Sequence, residues 1–237
     1  MFKTRSLFLL VGMVLALFLT ACTSEGGGEP ISKDNTPEEA IQKAKQKLDE
    51  TSGLSVRLES SGLPSGTMGV NSADGIGVHP AAFKGTVNAA ISGFTADVGV
   101  IAVDDKVYLA IGGSDYSEED PSRYNAPDPA VLMATEGGAS DLLTEAEDLK
   151  AGKEVRGGDN NDEVLTEYTG TLPGSSVKRI IPTASGDTFK VTYLITSDAE
   201  LREVKMVGQF YPDTEDITYT ITFKDYGKYT EKDVTAP

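Results

Sequence analysis

The chain has 237 residues and carries 37 Asp and Glu against 21 Lys and Arg, a formal charge of −16. Such a surface repels phosphate backbones and anionic headgroups, which excludes nucleic-acid binding and polybasic docking to membranes. One Cys (Cys22), one His (His79) and no Trp exclude an internal disulfide, a thiolate zinc cage and any multi-histidine metal site, and no cofactor or metal is expected.

Lys3 and Arg5 precede an apolar run over residues 7–19, LFLLVGMVLALFL, which fits the h-region of an export signal and is short for a transmembrane helix. Leu19-Thr20-Ala21-Cys22 follows at once. That string resembles the lipobox of bacterial lipoproteins, and the resemblance implies diacylation of Cys22 and cleavage before it. Residues 1–21 are then a signal peptide, and the body that remains is more acidic still, because Lys3 and Arg5 leave with it. Two or three acyl chains, at about 0.8 kcal/mol per buried CH₂, hold even an acidic protein on a membrane. The expected location is the outer face of the cell membrane.

Residues 22–35 are rich in Gly, Ser and charge and read as a tether. Thr36-Pro37-Glu38-Glu39 is a capping box with Pro at N1, opening a helix whose apolar face is Ala40, Ile41, Ala44 and Leu48. Gly53 is expected as its C′ residue. From Leu54 the period becomes two. Within residues 83–112, Ser92-Gly93 and Asp104-Asp105 read as two-residue hairpin turns. The first pairs Ile91 with Phe94, Ala89 with Ala96 and Val87 with Val98. The second pairs Ala102 with Val107, Val100 with Leu109 and Val98 with Ile111. Cross-strand partners share a face, so both hairpins put the same apolar set on one side.

Residues 117–125 read as a polar loop, and Asp128-Pro129 as an N-cap opening a short helix through Val131, Leu132 and Met133. Further helices are predicted over residues 140–149, which groups Leu142, Leu143 and Ala146, and over residues 173–181. Strands are predicted near residues 164–171, 188–196, 200–210 and 216–224. In the last, Ile217, Tyr219, Ile221 and Phe223 alternate with Thr218, Thr220, Thr222 and Lys224. Seven to nine antiparallel strands with helices at the front and middle make an α+β class. Residues 36–237 read as one domain.

Catalytic patterns are thin. His79 lies in a Gly/Pro/Ala loop without a Ser or Asp elbow, and Ser175-x-x-Lys178 lacks the motifs that accompany a Ser–Lys site. Gly75-Ile76-Gly77 lacks a third glycine, and the acidic run at 159–163 lacks the glycine and closing Glu of a calcium loop. No enzyme is expected. What remains is side-chain size: Ala89, Ala96 and Ala102 occupy sheet positions where Val, Ile or Leu would fill a core. Either that leaves volume for a ligand, or Leu132, Met133, Leu142 and Leu143 fill it.

The layout resembles the LppX/LprA/LprF/LprG lipoproteins of mycobacteria and related actinobacteria. The features that carry it are the lipobox and tether, a first helix of the form Pro37-x-x-Ala40-x-x-Lys43, and the stretch over residues 85–111. The Tyr124-Asn125-Ala126-Pro127-Asp128-Pro129 segment, the final strand and a tail through Tyr226-Gly227 complete it. Lys106 stands where the family's second turn has glycine. The family looks like the LolA/LolB architecture, so the resemblance implies a curved antiparallel half-barrel with helices over its concave face. It also implies an apolar cavity that carries acylated lipid or glycolipid across the envelope, in some members together with a membrane exporter. By matching position Val87 lines that cavity. The register adds Ala89, Ile91, Phe94, Ala96, Val98, Val100 and Leu109. Leu132, Met133, Leu142, Leu143, Tyr219 and Ile221 are the candidates on the covering segments and the last strand. The expected state is a monomer. The alternative is a surface binding or adhesion lipoprotein with a filled core.

Overall fold

The computed structural model describes residues 29–237 except Ser92, Asn125 and Asp159. Cys22 and the signal peptide lie outside the described residues. Helix α1 spans Pro37–Glu50. Thr36 Oγ1 accepts from the Glu39 amide at 3.2 Å, and the Glu39 carboxylate accepts from the Thr36 amide at 3.0 Å, as a capping box requires. Gly53 is not its C′ residue. The helix ends on Thr51 in extended backbone (φ −71°, ψ 141°), and Gly53 opens the first strand. Glycine stands there because a Cβ would meet Val78 Cγ1 at 2.7 Å and the Tyr229 carbonyl at 2.9 Å.

Eleven strands follow: β1 (Gly53–Ser61), β2 (Gly69–Val78), β3 (Ala82–Ile91), β4 (Phe94–Val103), β5 (Lys106–Ile111) and β6 (Ser117–Glu118). The rest are β7 (Glu147–Gly157), β8 (Glu163–Pro173), β9 (Thr188–Thr196), β10 (Leu201–Gly208) and β11 (Ile217–Lys224). They form one antiparallel sheet in the order β6-β5-β4-β3-β2-β1-β11-β10-β9-β8-β7. The sheet is open, with β6 and β7 at its edges. All six cross-strand pairs expected around the two β3–β5 turns are present. Asp104 and Asp105 both take positive φ, 54° and 58°, the left-handed pair that a type I′ hairpin turn needs.

The sheet has more strands than the seven to nine expected, and β7 is the main reason. The helix expected over residues 140–149 is only α2 (Asp141–Thr144), and strand begins at Glu147. Ser140 is itself helical and makes no side-chain cap. The β7 sequence, EDLKAGKEVRG, hides its strand character because an edge strand exposes both faces and is blunted by charge. The helix expected after Asp128 is a single 3₁₀ turn, Val131–Met133, although the Asp128 carboxylate does accept from the Ala130 amide at 2.9 Å. Helix α3 (Gly174–Ile180) falls where expected. The polar loop after β5 contains β6 and a 3₁₀ turn, Pro121–Tyr124.

Helices α1, α2 and α3 lie on one face of the sheet. Ala40, Ile41, Ala44 and Leu48 of α1 join Leu142, Leu143, Val177 and Ile180 in a single apolar cluster with β8–β11. A second cluster, built on Phe83, Val98, Val100, Ala102, Val107, Leu109 and Ala130, occupies β3–β5. Behind the sheet, Tyr229 and Val234 of the C-terminal tail cover Val78, Ala82 and Ile101.

Candidate functional site

The strand registers join residues of the helix-bearing face into rows that cross the sheet. The longest runs Tyr168–Tyr193–Val204–Ile221–Leu58–Ala73–Val87–Val98–Ile111 over nine strands, from β8 to β5. Every member is apolar or aromatic. Tyr168, Tyr193 and Val204 are buried at one flank and Val98 at the other. Ile221, Leu58, Ala73 and Val87, on four adjacent strands between them, are only half-buried. An apolar strip therefore lies open between two filled clusters.

The strip is closed at the end of the sheet where β1 begins and opens toward the end where β1 finishes. In the closing row, Leu54–Gly77–Phe83–Ala102–Val107, every residue is buried. Met133 Sδ rests where Gly77 has no Cβ, so the 3₁₀ turn plugs this end. The next row, Phe223–Val56–Gly75–Gly85–Val100–Leu109, is half-open in its middle. Its two glycines are covered by the Phe83 ring, whose Cζ would lie 2.6 Å from a Cβ at Gly75 and 2.8 Å from one at Gly85. Beyond the long row, Val70, Ala89 and Ala96 are half-buried. Last comes Phe94, 79% exposed.

The predicted candidates thus divide. Val87, Ala89, Ala96 and Ile221 lie on the half-open strip, and Phe94 stands at its open end. Val98, Val100 and Leu109 are buried in the cluster beside it. Met133, Leu142, Leu143 and Tyr219, with half-buried Leu132, belong to the filled cluster under the helices. Ile91 pairs with Phe94 on the same hairpin. Val56, Leu58, Val70 and Ala73 were missed. The alternation Leu54, Val56, Leu58 was the available signal for β1. For β2 there was almost none, since GVNSADGIGV carries Ala and Gly at its floor positions.

Charge is kept off this face. Arg57 pairs with Glu59 at 2.8 Å and Asp74 at 3.0 Å on the opposite side of β1 and β2, where Asn88 also donates to Asp97 at 2.6 Å. The covering layer is held by one ammonium. Lys45 Nζ of α1 reaches Asp49 at 2.6 Å, Asp141 at 3.1 Å, the Ser140 hydroxyl at 3.2 Å and the Thr135 carbonyl at 3.2 Å. Burial works to lower its pKa, but the two carboxylates outweigh that and raise it. Arg179 of α3 pairs with Glu145 beside α2 at 2.9 Å, and buried Tyr193 donates to the Leu142 carbonyl at 2.7 Å. Burial pushes the Tyr193 phenol up, as it does that of Tyr219, whose oxygen lies 2.9 Å from that of Tyr211.

The catalytic patterns weighed in the sequence lie away from this strip. His79 Nε2 donates to the Leu48 carbonyl at 3.1 Å, and Ser175 and Lys178 are exposed on α3. Among the described residues no three His, Cys, Asp or Glu side chains converge to hold a metal, and no helix is long and apolar enough to cross a membrane. Depressions open on the surface of the described residues. One, of about 550 Å³, is lined by charged residues around Lys106, Asp120 and Arg123. Another, of about 260 Å³, lies between Leu63, Pro64 and Phe94.

Residues 36–232 match the LppX_LprAFG lipoprotein family. LppX of Mycobacterium tuberculosis strain H37Rv, a candidate phthiocerol dimycocerosate transporter by its name, is 32% identical over 199 residues, covering 76% of this chain and 78% of LppX. LppX of Mycobacterium bovis BCG matches to the same extent. Among solved structures, LprF from Mycobacterium bovis superposes with a TM-score of 0.68 at 15% identity, covering 89% of this chain and 98% of LprF. The crystal structure of M. tuberculosis LppX gives 0.56 at 21% identity, covering 81% of this chain and 95% of LppX.

Proposed function

The chain belongs to the LppX/LprAFG lipoprotein family, and from that premise we propose that it binds acylated lipid or glycolipid along the half-open strip and carries it across the cell envelope. The observation that supports this reading most is the nine-strand apolar row, buried at Tyr168, Tyr193 and Val204 on one side and at Val98 on the other, and half-open over β11, β1, β2 and β3. In this reading acyl chains lie along Ile221, Leu58, Ala73, Val87, Ala89 and Ala96, and polar headgroups remain at the Phe94 end. Residues 36–237 act as one carrier domain and as a monomer. Cys22 holds it to the outer face of the membrane through acyl chains, and a membrane exporter is the partner that supplies the ligand.

The energetics need no catalyst. Each methylene withdrawn from water contributes about 0.8 kcal/mol, so a long chain gains on the order of 10 kcal/mol against water. Bilayer and strip are both apolar, so most of that gain cancels when lipid leaves a membrane. Transfer is then close to neutral and follows supply and removal.

Organic extraction of the purified lipoprotein followed by mass spectrometry tests the reading: lipid beyond the Cys22 anchor is expected. In a Val87→Trp variant the indole fills the strip, and bound lipid should fall at least tenfold while the cooperative unfolding transition remains. An unmodified chain that carries no such lipid would sink the reading. The second reading, an adhesion lipoprotein, is favoured by one observation, the filled cluster under α1–α3. It expects a protein ligand and no change in binding with Val87→Trp.

A further inference from the structure

Two loops meet at the open end of the strip. One joins β1 to β2 over residues 62–68, and the other is the β3–β4 turn. The depression of about 260 Å³ between them is bordered by Leu63 and Pro64 from the first and by Phe94 from the second. Residues 60–73 and 85–96, which build this corner, contain no charged residue, in a chain that is 24% charged. Phe94 is 79% exposed and Met68 41%. An exposed Phe and Met in a charge-free corner of so acidic a protein match the chemistry of a lipid surface.

The neighbouring β10–β11 loop narrows the kind of lipid. It carries Asp213, Glu215 and Asp216 and stands at the same end, since Ser61 at the end of β1 pairs with Thr218 at the start of β11. Those carboxylates repel an anionic surface, so the fitting partner is an uncharged or zwitterionic one. The N-terminal side of the chain joins the opposite end: the Ile31 amide donates to the Ser197 carbonyl, in the β9–β10 turn, at 2.8 Å. The nine residues of β1 put about 30 Å between the two ends. The tether from Cys22 to Ile31 spans at most ~32 Å. Only a nearly fully stretched tether would let this corner reach the anchoring membrane, so a second surface is the easier one for it to meet.

We propose that this corner inserts Phe94 and Met68 into a second, uncharged lipid surface, and that ligand leaves or enters the strip there. The proposal rests on the carrier reading for its purpose, but the contact can be measured by itself. The chain has no Trp, so Phe94→Trp supplies a unique fluorophore at an exposed position. The lipidated full-length variant is anchored in phosphatidylcholine vesicles, and acceptor vesicles of acyl-brominated phosphatidylcholine are added. Quenching with a blue shift is expected, and much weaker quenching when the acceptors are brominated phosphatidylglycerol. No quenching by phosphatidylcholine acceptors overturns the proposal, as does quenching only when the bromine is in the anchoring vesicle. A corner that engages a protein instead would also leave it unquenched.

A Met68→Asp variant should keep its bound lipid and lose at least tenfold in the rate of transfer to acceptors. Unchanged transfer would count against the proposal. The lipid content of the unmodified chain separates the two readings, because a lipid-free chain whose indole is still quenched sinks the carrier and leaves the corner's contact standing.

Discussion

The half of the sheet formed by β8–β11 and the part formed by β1–β4 follow the same alternation and end up differently. In the first, the inward residues Tyr168, Leu172, Phe189, Val191, Tyr193, Met206 and Tyr219 are buried beneath α1, α2 and α3, and Ile221 at the border with β1 is half-buried. Phe210 stacks between Phe189 and Tyr219, with ring centroids 4.7 and 4.6 Å away. In the second, the inward positions near the middle are Ala73, Gly75, Gly85, Val87, Ala89 and Ala96, and the cover is one 3₁₀ turn resting on Gly77. Apolar alternation alone decides which face is dry. Side-chain volume, together with what the connecting segments lay on top, decides whether that face is filled.

Removing volume from the filled half should have the largest effect. Phe189 is fully buried, and Phe189→Ala should cost 3–5 kcal/mol in urea unfolding, with little left to fold around the remaining aromatic pair. A cost below about 1 kcal/mol would mean that this half is as loose as the other. Adding volume to the open part should hurt only where its glycines are already covered. Gly75→Val would press on the Phe83 ring and the Lys84 carbonyl, each 2.6 Å from an added Cβ, and should cost about 1–3 kcal/mol by the same measurement. Ala73, one row away on the half-open strip, offers the contrast.

The contrast also depends on the cover staying in place. Lys45→Met leaves Asp49 and Asp141 facing each other between α1 and α2, and about 1–3 kcal/mol should be lost. Because the folded state raises the Lys45 pKa, its contribution is fully present at neutral pH. It is lost only as pH rises past the ordinary lysine value and through the raised one. A pH scan of Tm should therefore show wild type and variant converging only in alkali. The smallest expected effect is on the outer side of the filled half. Burial raises the Glu203 pKa, so its ionised form is disfavoured in the folded state, and Glu203→Gln should stabilise slightly at neutral pH. That gain should fade as pH falls through the carboxylate range, where Glu203 protonates anyway.

Legibility followed how local the determining interaction is. The capping box before α1 and the β3–β5 hairpins were readable because their partners lie within a few residues of one another. Two independent turns also agreed on a single face. The β7 strand was not readable, since an edge strand pairs on one side only and selects charge against further pairing. Gly53 looked like a helix stop because its reason, the approach of Val78 and Tyr229, lies far along the chain. The same holds for the strip. Val87, Ala89, Ala96 and Ile221 were visible in the alternation of their own strands, whereas Ala73 and Gly75 sit in a strand with almost no apolar pattern.

By itself, then, the sequence determined the dry faces, the main turns, the first helix, the acidic surface, and the scarcity of Cys and His, with one of each. These depend on neighbours in the chain and on composition. Only the tertiary structure decided that β11 joins β1, that Leu58 and Ile221 thereby meet in one row, and that the helices cover β8–β11 and leave the strip beside them half-open. That outcome depends on which distant segments compete for the same apolar surface. Phe83 and Met133 settle onto glycines in β2, and among the described residues no segment of comparable size settles on the alanines beyond them.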